Sequence, residues 1–122
     1  MNRGKTPLTI DTAVLRDVVD GEWAEARRRI RDLTTDSTPH LPAEGTLEEL
    51  RAATTAAVAP VAASGLTRLA LPVEEGGTGR HAEYIAGFEE LVTASPSLQI
   101  KAGVQFGLFG GAIMHLGNSE QH

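Results

Sequence analysis

Apolar residues recur at helical spacing through most of the chain. Ile10, Val14, Leu15 and Val18 fall on one side of a short helix, and Gly21 after Asp20 is placed to stop it. A second helix begins near Glu22, with Trp23, Ala26, Ile30 and Leu33 on one face. Thr46-Leu47-Glu48-Glu49 reads as a capping box, in which the Thr46 hydroxyl accepts from the N3 amide and Glu49 reaches back. The helix it opens runs through Leu50, Ala53, Ala57, Val58 and Val61 to a Ser64-Gly65 stop. Pro60 removes one ladder hydrogen bond and is expected to kink it. A further helix over roughly residues 80–93 offers Tyr84, Ile85, Phe88, Leu91 and Val92 as its apolar face.

The most apolar stretch is SPSLQIKAGVQFGLFGGAIMHLG, residues 95–117. Ser95 suits an N-cap and Pro96 the first turn, where a missing N–H loses no partner. Gly117 suits the C′ position with φ > 0. Ile100, Val104, Phe106, Leu108, Phe109, Ile113 and Leu116 surround the helix, and a helix apolar nearly all round is expected to be buried. Gly103, Gly107 and Gly111 recur every four residues and line one stripe, with Gly110 beside them. Such a stripe admits either plain helix–helix packing or the close approach of a flat ligand.

Between these helices the chain is punctuated. Residues 1–7 read as a loose tail, and residues 34–45, with Pro39 and Pro42, as a linker in which His40 has no assigned role. GLTRLALP is expected to be a short apolar connector. The glycines of Glu74-Glu75-Gly76-Gly77-Thr78-Gly79 follow no strand pattern and precede no lysine, so they read as an interhelix turn rather than a phosphate loop. Arg27, Arg28, Arg29 and Arg31 read as a solvated helix face, paired to Glu22 and Glu25 at helical spacing.

Composition narrows the function classes. The chain has 122 residues and a formal net charge of −5, and it is 41% hydrophobic but only 4% aromatic. A core of Ala, Leu, Val and Ile favours helices, and the acidic balance argues against nucleic acid as a partner. With no cysteine there is neither disulfide nor thiolate chemistry, which fits a cytoplasmic protein. No signal peptide opens the chain, and the run from Ala102 to Met114 is too short to span a membrane. His81, His115 and His122 lack metal-ligand spacing, and no nucleophile stands with a base. Spacing and composition alone therefore reach a small soluble all-α domain and no activity.

Three segments carry a resemblance. GLTRLALP followed by VEEGGTG is similar to a Gly-Leu, then Pro-x-Glu-Tyr-Gly-Gly-x-Gly turn, with Glu75 where tyrosine is usual. Phe88-Glu89-Glu90-Leu91 leads to the Ser95 cap. GVQFGLFGGA, residues 103–112, then Leu116-Gly117, is the most specific. Together they resemble the N-terminal helical domain of the acyl-CoA dehydrogenase/oxidase flavoprotein superfamily, and acyl-CoA oxidase-like members most. The resemblance covers residues 46–122 and extends weakly before them, which separates a tail, helical segment and linker over residues 1–45 from the domain proper.

The resemblance implies an all-α domain of about five helices that precedes a β-domain and a C-terminal helical bundle. Asn118, which would cap a helix that barely begins, fits a piece of a longer chain. In the family FAD binds between the later domains, acyl-CoA is α,β-dehydrogenated in β-oxidation, a glutamate of the C-terminal bundle is the base, and subunits form homo-oligomers. The resemblance thus places the base and most FAD contacts outside this chain. It implies an acyl-pocket wall at Ile100, Val104, Gln105, Gly107 and Leu108. The alternative is a stand-alone helical interaction domain without catalysis.

Overall fold

The computed structural model describes residues 9–36 and 41–121, so His40, His122 and the tail over residues 1–7 lie outside the described residues. Among the described residues there are helices and no strand. They are α1 (Thr12–Asp20), α2 (Ala24–Asp36), α3 (Leu47–Ala63), α4 (Leu66–Ala70), α5 (His81–Ala94), α6 (Pro96–Ala102) and α7 (Gly110–Leu116), with a π-helical segment, Gly103–Phe109, joining the last two into one rod.

Local chemistry sets the boundaries. Asp11 caps α1 by accepting from the Ala13 and Val14 amides, and Gly21 ends it at φ +62°. The capping box of α3 forms as expected: the Glu49 amide donates to Thr46 Oγ1 at 3.3 Å, and the Thr46 amide donates to Glu49 Oε2 at 2.8 Å. These bonds hold the Glu49 carboxyl below its ordinary pKa. Helix α3 runs through Pro60, and Gly65 turns the chain at φ +80°. The expected connector after it is instead helix α4, because Leu66 and Leu69 bury one side of a single turn. Ser95 caps α6 as expected. Gly117 does not enter the left-handed region: its φ is −70°, and its amide closes the last turn on the Ile113 carbonyl.

The core lies where α2, α4 and α6 pack on α5 and α3 closes against α6 and α4. Val61, Leu91 and Leu98 are fully buried there, with Ile30 and Leu66 nearly so. Helix α2 therefore shares the core of the helices that follow the linker. Gly87 permits the crossing, since a Cβ on it would stand 2.8 Å from Leu66 Cδ1 and 3.1 Å from Ile30 Cγ1.

Three expected faces are corrected. On α5, Ile85 and Val92 are exposed while Glu90 is buried. The arginines of α2 are not a plain solvated face paired to Glu22 and Glu25. Arg27 donates to Glu90 at 3.1 Å and Glu89 at 2.7 Å, and Arg31 donates to Glu90 at 2.8 and 3.0 Å and to Asp20 at 2.6 Å. Their side chains retain only 23% and 21% exposure, so these arginines clamp α2 onto α5. Last, the C-terminal rod is not buried all round. Leu98 and Ala102 enter the core, but Ile100, Leu108, Phe109 and Leu116 face solvent.

Candidate functional site

The rod is flanked by two grooves. One, of about 580 Å³, runs between α3 and α6 and is lined by Leu47, Leu50, Arg51, Thr54, Ile100 and Val104 among others. The other, of about 500 Å³, lies between the rod and the segment formed by α4, Pro72 and α5. Its far wall is Ala70, Leu71 and Pro72; Phe106 and Met114 stand on the rod, and Gly107, Gly110 and Gly111 form a floor without side chains.

Each part of the glycine-floored groove has a local cause. Pro72 and Leu71 are held by the turn after α4: the Gly77 amide donates to the Pro72 carbonyl, the Gly79 amide to the Leu71 carbonyl, and Arg68 closes on the Gly76 carbonyl at 3.0 Å. Gly77 is required there, because a Cβ would overlap the Leu71 carbonyl oxygen at 2.1 Å. Tyr84 is positioned by α5, with its ring stacked on Phe88 at a centroid distance of 5.8 Å. Phe88 in turn seats on Gly103, where a Cβ would meet its Cζ at 3.1 Å. The Tyr84 hydroxyl sits over Gly107, 4.0 Å from where a Cβ would stand. Burial raises the Tyr84 pKa, so its hydroxyl stays protonated and available to donate.

The five residues implied by the resemblance do not share one wall. Ile100 and Val104 line the α3–α6 groove, Gly107 lines the glycine-floored groove, and Gln105 and Leu108 are exposed. The π-helical segment separates them: its i→i+5 bonding changes the angular step per residue, so faces projected at α-helical spacing drift beyond Gly103. Sequence reasoning missed Phe106, Met114, His81, Tyr84 and His115 as groove residues. One signal was available, since His115 continues the four-residue spacing of Gly103, Gly107 and Gly111. Among the described residues the stripe is a close contact at Gly103 alone, and nothing stands within 4 Å of a Cβ on Gly110 or Gly111.

The glycine turn after α4 is not a phosphate cradle, since a pyrophosphate such as that of FAD needs free amides. The amides of Gly76, Gly77, Thr78 and Gly79 already donate to carbonyls of Val73, Pro72, Arg68 and Leu71. Arg27, Arg28 and Arg31 are each held by carboxylates. No group of three or more metal-binding side chains occurs among the described residues. No helix there is long and apolar enough to cross a membrane.

The family described as acyl-CoA dehydrogenase, N-terminal domain, matches residues 21–122, so the match begins ahead of Thr46 and takes in α2. No curated protein and no solved structure matches the chain.

Proposed function

The chain belongs to the acyl-CoA dehydrogenase family through its N-terminal domain, and on that premise we propose that it supplies one wall of the acyl pocket in an FAD-dependent acyl-CoA oxidase or dehydrogenase. The observation that carries this reading is the glycine-floored groove. A bare backbone floor flanked by Leu71, Pro72, Phe106 and Met114 accepts an extended acyl chain at van der Waals distance, and a cleft of about 500 Å³ is within the range of small-molecule sites. On this reading Gly107 lines the acyl pocket. Ile100, Val104, Gln105 and Leu108 form the surface covered by a neighbouring domain or subunit of a homo-oligomer. Flavin binding and the α-proton base belong to other parts of the enzyme, and the oxidase-like resemblance sets acyl-CoA oxidation with oxygen as the first activity to assay.

The test is made on the polypeptide of the complete reading frame that contains this chain, purified with its flavin. It is expected to bleach the flavin with acyl-CoA. Gly107→Val is expected to lower kcat/KM for long acyl-CoAs by about tenfold or more while sparing the shortest, because overpacking acts only where the chain passes. The 122-residue chain alone, supplied with FAD and acyl-CoA, is expected to show neither bleaching nor peroxide. A Gly107→Val enzyme with an unchanged chain-length profile, or turnover by the isolated chain, overturns the reading. A frame that ends at His122 supports the stand-alone interaction domain instead.

A further inference from the structure

The glycine-floored groove carries more polar chemistry than a plain hydrocarbon chain requires. Thr67, His81, Tyr84 and His115 all line it. Among the described residues none of these side chains has a hydrogen-bond partner, although His81 and Tyr84 are ring neighbours, with centroids 6.5 Å apart. The Tyr84 hydroxyl lies over Gly107, at one end of the floor. Where they line the groove, Thr67 and Tyr84 are half-buried and His81 and His115 are exposed.

A saturated chain laid in this groove would strip water from the Tyr84 hydroxyl and the two imidazoles and return no hydrogen bond. Burying an unsatisfied polar group is costly, and a site with such groups discriminates against ligands that leave them unpaired. An acyl group that carries an oxygen function restores those bonds, while its methylenes still pack on Leu71, Pro72, Phe106 and Met114. The donors lie on opposite sides of the cleft, His81 and Tyr84 on α5 and His115 on α7, so an oxygen passing over the floor meets them from both walls.

We infer that the acyl group accepted here bears a hydroxyl, oxo or carboxylate oxygen along or at the end of its chain, held by Tyr84 with His81, His115 and Thr67. This inference rests on the reading of the groove as an acyl pocket and names the substrate class. Both imidazoles and both hydroxyls donate, so a neutral oxygen and a carboxylate share the chemistry, and separate probes distinguish them.

The experiment compares kcat/KM of the complete flavoenzyme for three CoA esters of equal chain length: octanoyl, 8-hydroxyoctanoyl and the monoester of octanedioic acid. The oxygenated esters are expected to be preferred by about tenfold or more. Tyr84→Phe keeps the ring and its stacking on Phe88, and is expected to collapse the preference by lowering turnover of the oxygenated ester and raising that of the saturated one. His115→Gln is expected to reduce the preference for the carboxylate most. A thermal melt of each variant confirms that the fold is retained. Equal kcat/KM for the three esters, or a preference untouched by Tyr84→Phe, overturns the inference and leaves the acyl pocket standing. Absence of turnover with every acyl-CoA overturns the proposed function, and this inference with it.

Discussion

Glu90 shows how burial decides the worth of a charge. Its side chain is 8% exposed and accepts from both Arg27 and Arg31. Removing one partner of a buried pair strands the other, and Arg27 and Arg31 keep only Glu89 and Asp20 as substitutes. Glu90→Ala is therefore expected to cost about 3 kcal/mol, read as a lower urea midpoint. Arg28 and Asp17 form a pair of similar length, 2.7 Å, but with more than half of each side chain exposed. Arg28→Ala is expected to leave the midpoint nearly unchanged, since solvent screens that pair. Asp20 adds a pH dependence. The hydrogen bond from Arg31 lowers its pKa below the ordinary carboxylate value and outweighs the opposing effect of burial. Its contribution is thus complete above the unfolded pKa of about 4 and is lost as pH falls through that value and then the lower folded one. Stability is expected to decline on acidification below about pH 4, and Asp20→Asn to flatten that part of the profile. An identical acid slope in the variant would remove Asp20 from the account.

Glycine's effect depends on the element that carries it. On α5, Gly87 is the point where Leu66 and Ile30 press against the helix backbone. Gly87→Ala gains helix propensity yet forces both neighbours to move, and a net loss of about 1–3 kcal/mol is expected. On α7, Gly110 faces open space, so Gly110→Ala in the 122-residue chain is expected to gain up to about 1 kcal/mol. Thermal melts of the two variants should move in opposite directions. A gain at Gly87 would mean that the α5 crossing relaxes more readily than its distances suggest. Spacing in the rod pointed to a contact stripe, but among the described helical glycines the tightest approach is at Gly87, whose neighbours come from α2 and α4. No periodicity within α5 reports what will cross it.

The molecule as a whole leaves two apolar faces uncovered. Ile100, Leu108, Phe109 and Leu116 are each more than 60% exposed along the rod. On α1, Val14, Val18 and Val19 point outward while Asp17 and Asp20 bind arginines of α2. Exposed apolar surface of this kind drives association. The 122-residue chain is expected to sediment as concentration-dependent oligomers, and Leu108→Lys with Leu116→Lys to shift it toward monomer; a compact monomer at high concentration would contradict this. Much of this architecture was legible in the residues alone. Helix positions, the Thr46 box, the Gly21 and Gly65 stops and the family likeness depend on neighbours within a turn or two, where spacing and hydrogen-bonding capacity decide the outcome. The clamp on Glu90, the burial of Gly87, the short helix α4 and the division of Ile100 and Val104 from Gly107 all depend on which elements meet. Those were settled only by tertiary packing, because the free energy of a charge, a glycine or an apolar side chain is set by what surrounds it rather than by its place in the chain.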